Sequence, residues 1–256
     1  MTRNPALLRG VYTNADVCSF KLPIRYPTSL IELYIMSTQE SLRRGALIAI
    51  EGLDRAGKST QCALLLDHLQ KEGLSAKLQK FPGQMINSYL QNTSNLDDRA
   101  IHLLFSANRW EASEGLLTTL KSGTSILLDR YIYSGIVFSA AKPAMPIPNP
   151  HPLSTTWCRN PDVGLPRPDI VIFLNISQED AAKRAGFGDE RYEKPEMQEK
   201  VRGLFEELRE DERDSGDWWV VDAGKSVGEV AEEVWKGVQE GLRRVKERGL
   251  DIRSIE

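Results

Sequence analysis

The chain has 256 residues, of which 41% are hydrophobic and 27% charged, enough for a sizeable core beneath a solvated surface. This balance excludes a mostly disordered chain, a collagen-like repeat and a disulfide-dense miniprotein. No apolar run reaches the roughly 18 residues that a membrane span requires, so no membrane association is expected. Lys and Arg number 33 against 36 Asp and Glu, and the resulting net charge of -3 disfavours direct nucleic-acid binding.

Three cysteines, Cys18, Cys62 and Cys158, lie far apart and form no CxxC pair. Such spacing predicts free thiols in a reducing compartment, without structural zinc. His68, His102 and His151 have no neighbours that suggest a triad or a metal site, so we expect them on the surface or in the core. The expected location is the cytoplasm, the nucleus or both.

Residues 1–44 differ in composition from the rest of the chain, with scattered prolines and no sustained period. A basic, acid-poor beginning allows a mitochondrial targeting role for residues 1–35, although such peptides are more amphipathic and richer in arginine. The alternatives are an appendage without function, or a gene model that begins too far upstream, with Met36 as the true start. We therefore expect an N-terminal extension over 1–44 and a single domain over 45–250.

From residue 46 onward, short apolar runs alternate with segments of helical periodicity. Continuously apolar strands separated by helices favour an α/β fold with a parallel sheet covered on both faces. The predicted strands are 46–50, 76–80, 125–129, 170–174 and 218–222.

Several helices between these strands have clear sequence signals. They are predicted over 59–72, 98–121 and 196–213, and the last helix begins at a capping box of Ser226 and Glu229. The helix over 98–121 places five apolar residues at helical spacing, namely Leu103, Leu104, Ala107, Trp110 and Leu117.

The segment GLDRAGKS at 52–59 fits the pattern G-x-x-x-x-G-K-[ST] and lies between a predicted strand and a predicted helix. Glycines let successive backbone N–H groups converge on a phosphate, and the helix N-terminus adds its positive end. Lys58 would reach the β- and γ-phosphates, and the Ser59 hydroxyl can bind Mg²⁺. The segment therefore predicts a nucleoside triphosphate site.

Two charged residues inside this loop are informative. A carboxylate at Asp54 is costly beside a triphosphate unless it faces another group, such as a sugar hydroxyl. Arg55 could fold back onto the γ-phosphate and supply charge in the transition state. The alternative is an ion pair between the two side chains that faces solvent.

Asp129 and Arg130 directly follow the predicted strand over 125–129. Ligands of open α/β sheets bind at the carboxyl ends of strands, so Asp129 could hold Mg²⁺ or its waters while Arg130 clamps a phosphate. A strand-end ion pair or a helix cap is the alternative interpretation.

Phe105 and Arg109 are four residues apart and share a helix face. A ring beside a fork of donors suits a nucleobase, although a phenylalanine at helical spacing also suits a core. The charged stretch 182–193, with Gly186 and Gly188, could be a mobile lid over phosphates or simply a solvated surface.

Five blocks together resemble the thymidylate kinase family: LIAIEGLDRAGKSTQ, AIHLLFSANRWE, LLDRYIYSGIVFSAAK, PDVGLPRPDIVIFLN and GFGDERYE. They occur in family order and cover most of 45–245. The resemblance implies a P-loop nucleoside monophosphate kinase fold, with a five-stranded parallel sheet flanked by helices on both faces. It also implies a homodimer that uses ATP and Mg²⁺ to phosphorylate dTMP to dTDP in the dTTP synthesis pathway. Arg55 resembles the eukaryotic subtype, in which the loop supplies the catalytic arginine.

The resemblance further implies a role for each matching position. The catalytic group is Arg55, Lys58, Asp129 and Arg130, with Ser59 and Asp129 at the metal. The ATP-binding group is Gly52, Leu53, Asp54, Arg55, Ala56, Gly57, Lys58, Ser59, Thr60 and Arg184, with Arg184 against adenine in a lid of about 182–195.

The dTMP group is assigned in the same way. Phe105 would stack on thymine, Arg109 would bind its edge, and Arg130 would bind the phosphate. Asp54 would accept from the sugar 3′-hydroxyl, and Phe138 would crowd the 2′ position. The full group implied for dTMP is Asp54, Phe81, Phe105, Arg109, Arg130, Ser134, Gly135, Phe138 and Tyr192.

Two departures from the family pattern stand out. The family continues its second strand with Phe-Pro-x-Arg, whereas Phe81 and Pro82 are here followed by Gly83, and a short stretch with its phosphate-binding arginine is missing. The Pro-rich stretch 142–168, expected as a surface loop, carries several extra residues. Both could be errors of the gene model. The departures leave two alternatives to an active dTMP kinase: a catalytically impaired nucleotide-binding relative, and a kinase for another nucleoside monophosphate.

Overall fold

The computed structural model of the chain describes residues 44–81, 84–91, 95–143, 152–184 and 194–256. Several positions singled out from the sequence lie outside these ranges. They are Cys18 and Met36 in the extension, the Pro82-Gly83 junction, His151 with the prolines before it, and Tyr192 with most of the expected lid.

Five parallel strands form one sheet in the order β2-β3-β1-β4-β5. The central strands are apolar and buried almost throughout, which requires helices on both faces of the sheet. The prediction of a five-stranded parallel sheet is confirmed. The strands are β1 (Leu47–Gly52), β2 (Ala76–Gln79), β3 (Ser125–Asp129), β4 (Ile170–Asn175) and β5 (Trp218–Asp222).

Eight α-helices lie within the described ranges. They are α1 (Lys58–Lys71), α2 (Gln84–Leu90), α3 (Asp98–Lys121), α4 (Ile132–Ala140), α5 (Thr155–Arg159), α6 (Gln178–Ala182), α7 (Pro195–Glu210) and α8 (Val227–Arg248). Helices α1 and α8 pack against each other and against the sheet. Helices α3 and α7 each pack against α4. The capping box of Ser226 and Glu229 is present as predicted. Helix α7 ends before the predicted residue 213 because Asp211 adopts an extended backbone (φ -60°, ψ 123°).

Helix α3 has the predicted bounds but not the orientation that its apolar spacing suggests. Leu103 and Trp110 are 47% and 43% exposed. The buried side of the helix is largely polar, because it faces the cavity described below and the chain that follows α5. That side consists of Ile101, His102, Ser106, Arg109, Ser113, Leu116 and Leu120.

The expectation of a surface loop over 142–168 is wrong for its second half. Residues 155–159 form α5, and a 3₁₀ turn follows at Asn160–Asp162. Cys158, Asp162 and Leu165 are fully buried. The prolines of this stretch break periodicity without keeping the chain at the surface. Its buried polar groups are paired, Asp162 with Arg109 of α3 and Arg159 with Asp214.

Arg44, which the sequence analysis assigned to the extension, packs with the domain. Its guanidinium is 1% exposed and donates from both Nη atoms to the Asp169 carboxylate at 2.8 Å. Asp169 also accepts from the Leu47 N–H at the start of β1. Arg44 therefore fixes the entry of the chain into the sheet.

The described cysteines lie in the core, as does one of the two described histidines. Cys62 and Cys158 are free thiols in the core. His102 is buried between the Ser139 hydroxyl and the Cys158 carbonyl, each at 2.8 Å, and His68 lies 4.3 Å from the Trp235 ring. Burial lowers the pKa of His102, so this ring is neutral and structural.

Two glycines allow α8 to approach the sheet closely. A Cβ at Gly237 would lie 2.5 Å from Ile172 Cδ1, and one at Gly241 would lie 2.6 Å from Ile170 Cγ2. Both positions lack room for even a methyl group.

We expect Gly237→Ala to lower the free energy of unfolding by about 1–2 kcal/mol, because overpacking outweighs the gain in helix propensity. Urea denaturation measures the change. Gly228→Ala is the matched control on the same helix, since nothing lies within 4 Å of its added Cβ; it should be neutral or stabilising by up to about 1 kcal/mol. Equal effects of the two changes would show that contact with β4 is not the cause.

Candidate active site

The loop between β1 and α1 has the backbone geometry that its glycines predict. Gly52 (φ 144°) passes Leu174 so closely that a Cβ would lie 2.5 Å from the Leu174 carbonyl oxygen. Gly57 adopts a left-handed conformation (φ 90°) directly before α1, and Arg55 between them is also left-handed (φ 62°). The loop therefore curls around the N-terminus of α1, as a phosphate site requires.

Lys58 is buried within this curl. Its Nζ donates to the carbonyl oxygens of Gly52 at 3.2 Å and Leu53 at 2.5 Å. Burial lowers the pKa of Lys58 to about 7, because the ammonium is poorly solvated there. Near neutral pH, the loop without a ligand thus holds its lysine only partly charged.

The two residues predicted at a metal are brought together. Ser59 Oγ donates to Asp129 Oδ2 at 2.7 Å, and Lys80 Nζ lies 3.3 Å from the same oxygen. No group of three or more His, Cys, Asp and Glu side chains suited to a metal occurs within the described ranges. One hydroxyl and one carboxylate suit Mg²⁺, which binds few protein oxygens and completes its shell with phosphates and water.

Arg130 follows β3 in a left-handed conformation (φ 68°), which turns its side chain toward the phosphate loop. Its guanidinium forms an ion pair with Asp54 and donates to the Gly52 carbonyl and the Ser134 hydroxyl, each at 3.1 Å. Its Cζ also lies 5.0 Å from the centroid of the Phe138 ring. Asp54 and Arg130, predicted to bind the same acceptor, are therefore partners of each other.

Glu51 supports this turn and was missed by the sequence analysis. Its fully buried carboxylate accepts from the N–H groups of Tyr131 (2.9 Å) and Ser134 (3.2 Å) and from the Ser134 hydroxyl (2.5 Å). Burial raises the pKa of Glu51. The signal was available, because Glu51 is the one charged residue of β1.

Gln198 was also missed. It accepts from the Asp54 N–H at 3.1 Å and donates to Asp54 Oδ2 at 2.8 Å, so α7 holds both the backbone and the side chain of Asp54. Nothing in the local sequence distinguishes this glutamine.

Arg109 lies at the other end of the site and is 3% exposed. Its Nε and Nη2 donate to the two Asp162 oxygens at 3.1 and 2.6 Å, and Ser106 Oγ also donates to Asp162 at 2.7 Å. Gly135 lets α4 pass close by, since a Cβ there would lie 2.9 Å from Arg109 Nη1. Asp162 was missed, because its pairing joins residues 53 positions apart.

A cavity of about 500 Å³ connects the phosphate loop with Phe105 and Arg109. It is also lined by Lys80, Leu90, Tyr131 and Ser139, which the sequence analysis did not select. The predicted residues that line it are Asp54, Arg55, Gly57, Lys58, Ser59, Thr60, Phe81, Phe105, Arg109, Asp129, Arg130, Ser134, Gly135 and Phe138.

The remaining predicted residues lie behind or beside this cavity. Leu53 and Ala56 are buried within the loop, and Gly52 forms its base. Arg184 donates to the carbonyl oxygens of Arg55 and Ala223, each at 2.6 Å, and so joins the end of α6 to the loop.

One cavity is lined by the phosphate loop, by a pair of oxygens suited to a metal, and by an aromatic ring beside a fixed arginine. This arrangement defines a P-loop nucleoside monophosphate kinase, in which a donor and an acceptor nucleotide meet. The family model described as thymidylate kinase matches residues 50–234. The chain belongs to the thymidylate kinase family.

Individual relatives agree with this assignment. A thymidylate kinase of Danio rerio is 46% identical over 200 residues, which cover 76% of this chain and 90% of the relative. The Homo sapiens enzyme is 42% identical over 214 residues, covering 81% and 96%. The solved structure of the Candida albicans thymidylate kinase has a TM-score of 0.71 and 39% identity, covering 83% of this chain and 99% of that chain. The resemblance, the fold and the class of enzyme are thus confirmed.

The helices of the described ranges include none with the length and hydropathy that crossing a bilayer demands.

The lowered pKa of Lys58 predicts that the protein takes up a proton when a triphosphate binds, because the ligand restores the ammonium form of this lysine. At pH 8 the uptake should approach one proton per ATP, and affinity should fall by up to about tenfold per pH unit above 7. Calorimetric titrations in buffers of different ionisation enthalpy measure this uptake.

Lys58→Arg is the control, because a guanidinium stays charged throughout this range and should bind ATP without the uptake. A binding enthalpy for the unsubstituted chain that is independent of the buffer at pH 8 would contradict the assignment.

Proposed function

We propose that this chain transfers the γ-phosphoryl group of ATP to dTMP, giving dTDP for dTTP synthesis. The observation that carries the proposal is the single cavity, in which Arg109, fixed by Asp162, and Phe105 face the same space as Lys58. The family membership favours this activity over an impaired relative or a kinase for another acceptor.

At the donor end, Lys58 and the backbone of 52–59 would hold the ATP phosphates. Arg55 would neutralise charge on the transferred group, and Arg184 would lie against adenine. Mg²⁺ would be held by Ser59 and Asp129, and it would supply positive charge that offsets the negative charge of the phosphates.

At the acceptor end, Phe105 would stack on thymine and Arg109 would bind its edge. The bidentate contact with Asp162 supports this role, because it fixes the plane of the guanidinium before the base arrives. The phosphate of dTMP would replace Asp54 as the partner of Arg130. The sugar 3′-hydroxyl would then donate to the Asp54 oxygen that Arg130 had bound.

The reaction needs little covalent chemistry from the protein. The acceptor phosphate already carries a nucleophilic oxygen, so catalysis consists of placing two anions in line and neutralising their repulsion. Lys80, on the same side of the cavity as Asp129, would contribute positive charge that the family otherwise draws from the missing arginine.

The full chain should release ADP from ATP and Mg²⁺ when dTMP is the acceptor, and far less with UMP, AMP or no acceptor. UMP should fail partly because Phe138 crowds the sugar 2′ position. Chelation of Mg²⁺ should abolish turnover. A coupled assay of ADP with dTMP, dUMP, UMP and AMP measures these differences, with Lys58→Met as the inactive control.

Two outcomes would overturn the proposal. Thermal protection by ATP but neither turnover nor protection with dTMP would identify an impaired nucleotide-binding relative. Faster turnover of another monophosphate would identify a different acceptor.

We further propose that two copies associate through α3. Its stripe of Leu103, Ala107 and Trp110 is exposed in one copy, and a second copy would bury it. The free thiols of Cys62 and Cys158 support the expected cytoplasmic or nuclear location, which the position of a tagged full chain in cells would test.

Leu103→Glu should convert a dimer of twice the 28.8 kDa chain mass into a monomer, because it places a charge within the stripe that the second copy would bury. Sedimentation equilibrium measures the mass. Leu64→Glu on α1 changes a similarly exposed leucine and should leave the dimer intact. A monomeric unsubstituted chain would refute the proposed association.

A further inference from the structure

Residues 250–256, here called the tail segment, pack back onto the domain after α8. They lie beyond residues 50–234, which match the family model. Ile255 is 2% exposed and belongs to the main core, and Ser254 forms an antiparallel bridge with Pro166. The tail segment is therefore part of the fold.

The tail segment is paired with residues 164–167 through their backbones. Ile255 donates to the Leu165 carbonyl and accepts from the Gly164 N–H, each at 2.9 Å. The Arg167 N–H donates to the Arg253 carbonyl at 2.7 Å. These three bonds and the buried Ile255 side chain fix 164–167 from one side.

The paired residues directly follow Asp162, the partner of Arg109. The Leu165 N–H donates to the Asp162 carbonyl at 3.1 Å, so the residue that pairs with Ile255 also closes the turn containing Asp162. The Asp162 side chain is fully buried and lies 2.6 Å from Arg109 Nη2. Three consecutive contacts thus connect the tail segment to the arginine: Ile255 with Leu165, Leu165 with Asp162, and Asp162 with Arg109.

Helix α3 holds the same turn from its other side. Ser106 Oγ and Trp110 Nε1 donate to the Pro161 carbonyl at 3.0 and 2.7 Å. These bonds tie the turn to the helix that carries Arg109. The tail segment supplies the opposing support, so its loss would let residues 162–167 shift away from α3.

We propose that the tail segment positions the acceptor base: it holds the turn at Asp162 so that Arg109 keeps a fixed plane in the cavity. The inference rests on the proposed function, in which Arg109 binds the thymine edge. Within the described ranges, the hydrogen bonds of the tail segment to other parts of the domain reach residues 159, 164–168, 217 and 248 rather than the phosphate loop, so we expect ATP binding to be independent of it.

Deletion of 250–256 should raise the KM for dTMP at least about fivefold and leave the KM for ATP unchanged, because only the acceptor slot is misplaced. Ile255→Ala should raise the KM for dTMP in the same way, whereas Ile255→Val should keep it close to that of the unsubstituted chain. Leu250→Ala, at an exposed position of the same segment, is the control. Steady-state kinetics below the unfolding temperature of each variant separates these effects from a loss of fold.

A second measurement isolates the path through Asp162. Asp162→Asn alone should raise the KM for dTMP, and its combination with the deletion should raise it by less than the product of the two effects. The proposal would be overturned if the two changes multiplied in their effect on the KM for dTMP. It would also be overturned if the deletion raised the KM values for dTMP and ATP equally, or if it lowered only the melting temperature.

Hydrogen exchange distinguishes failure of this inference from failure of the proposed function. The amides of 162–167 should exchange faster after the deletion, whichever nucleotide the enzyme accepts. Unchanged exchange would refute the positioning role of the tail segment even in an active dTMP kinase. Faster exchange in a chain that shows no turnover of dTMP would instead refute the proposed substrate.

Discussion

The buried carboxylate of Glu51 is the contact on which the site depends. It extends from β1 and accepts two backbone N–H groups and one hydroxyl at the start of α4. A carboxylate in a core is costly unless its oxygens are paired, and here the donors come from the turn that must be held. Glu51 thereby secures the left-handed backbone at Arg130, which no side chain adopts without local cost.

Three cationic side chains of the site are paired with carboxylates of the protein. Arg130 is paired with Asp54, Arg109 with Asp162 and Lys80 with Asp129. Substrates that compete for these cations exchange one partner for another, so little uncompensated charge is buried at any stage. Arg109 differs from the others, since its buried partner fixes its geometry and no ligand needs to displace it.

The sequence predicted best what is encoded locally. The strands, the phosphate loop and the bounds of α3 follow from apolar runs, from glycines with defined conformations and from capping residues. The pairing of Arg109 with Asp162 and the hold of Gln198 on Asp54 join distant parts of the chain, and no local pattern encodes them. The apolar spacing of α3 predicts the helix but not its orientation, because tertiary packing decides which face is buried. Leu103 and Trp110 are therefore exposed in spite of their spacing.

The cavity holds cationic side chains other than the arginine that the family pattern places after Pro82. Within the described residues, its lining holds Arg55, Lys58, Lys80, Arg109 and Arg130 against the two carboxylates Asp54 and Asp129. Arg109 is committed to Asp162 and Lys58 is only partly charged without a ligand, so the cationic excess is modest before nucleotides bind. Binding of a triphosphate raises that excess, because its negative charge favours the uptake of a proton from solvent by Lys58. With Mg²⁺ held at Asp129, Lys80 would lose that carboxylate as a partner and would be available to the entering phosphate. The positive charge in the site would therefore increase as the negative charge arrives, which is the condition for two anions to meet without a further fixed arginine.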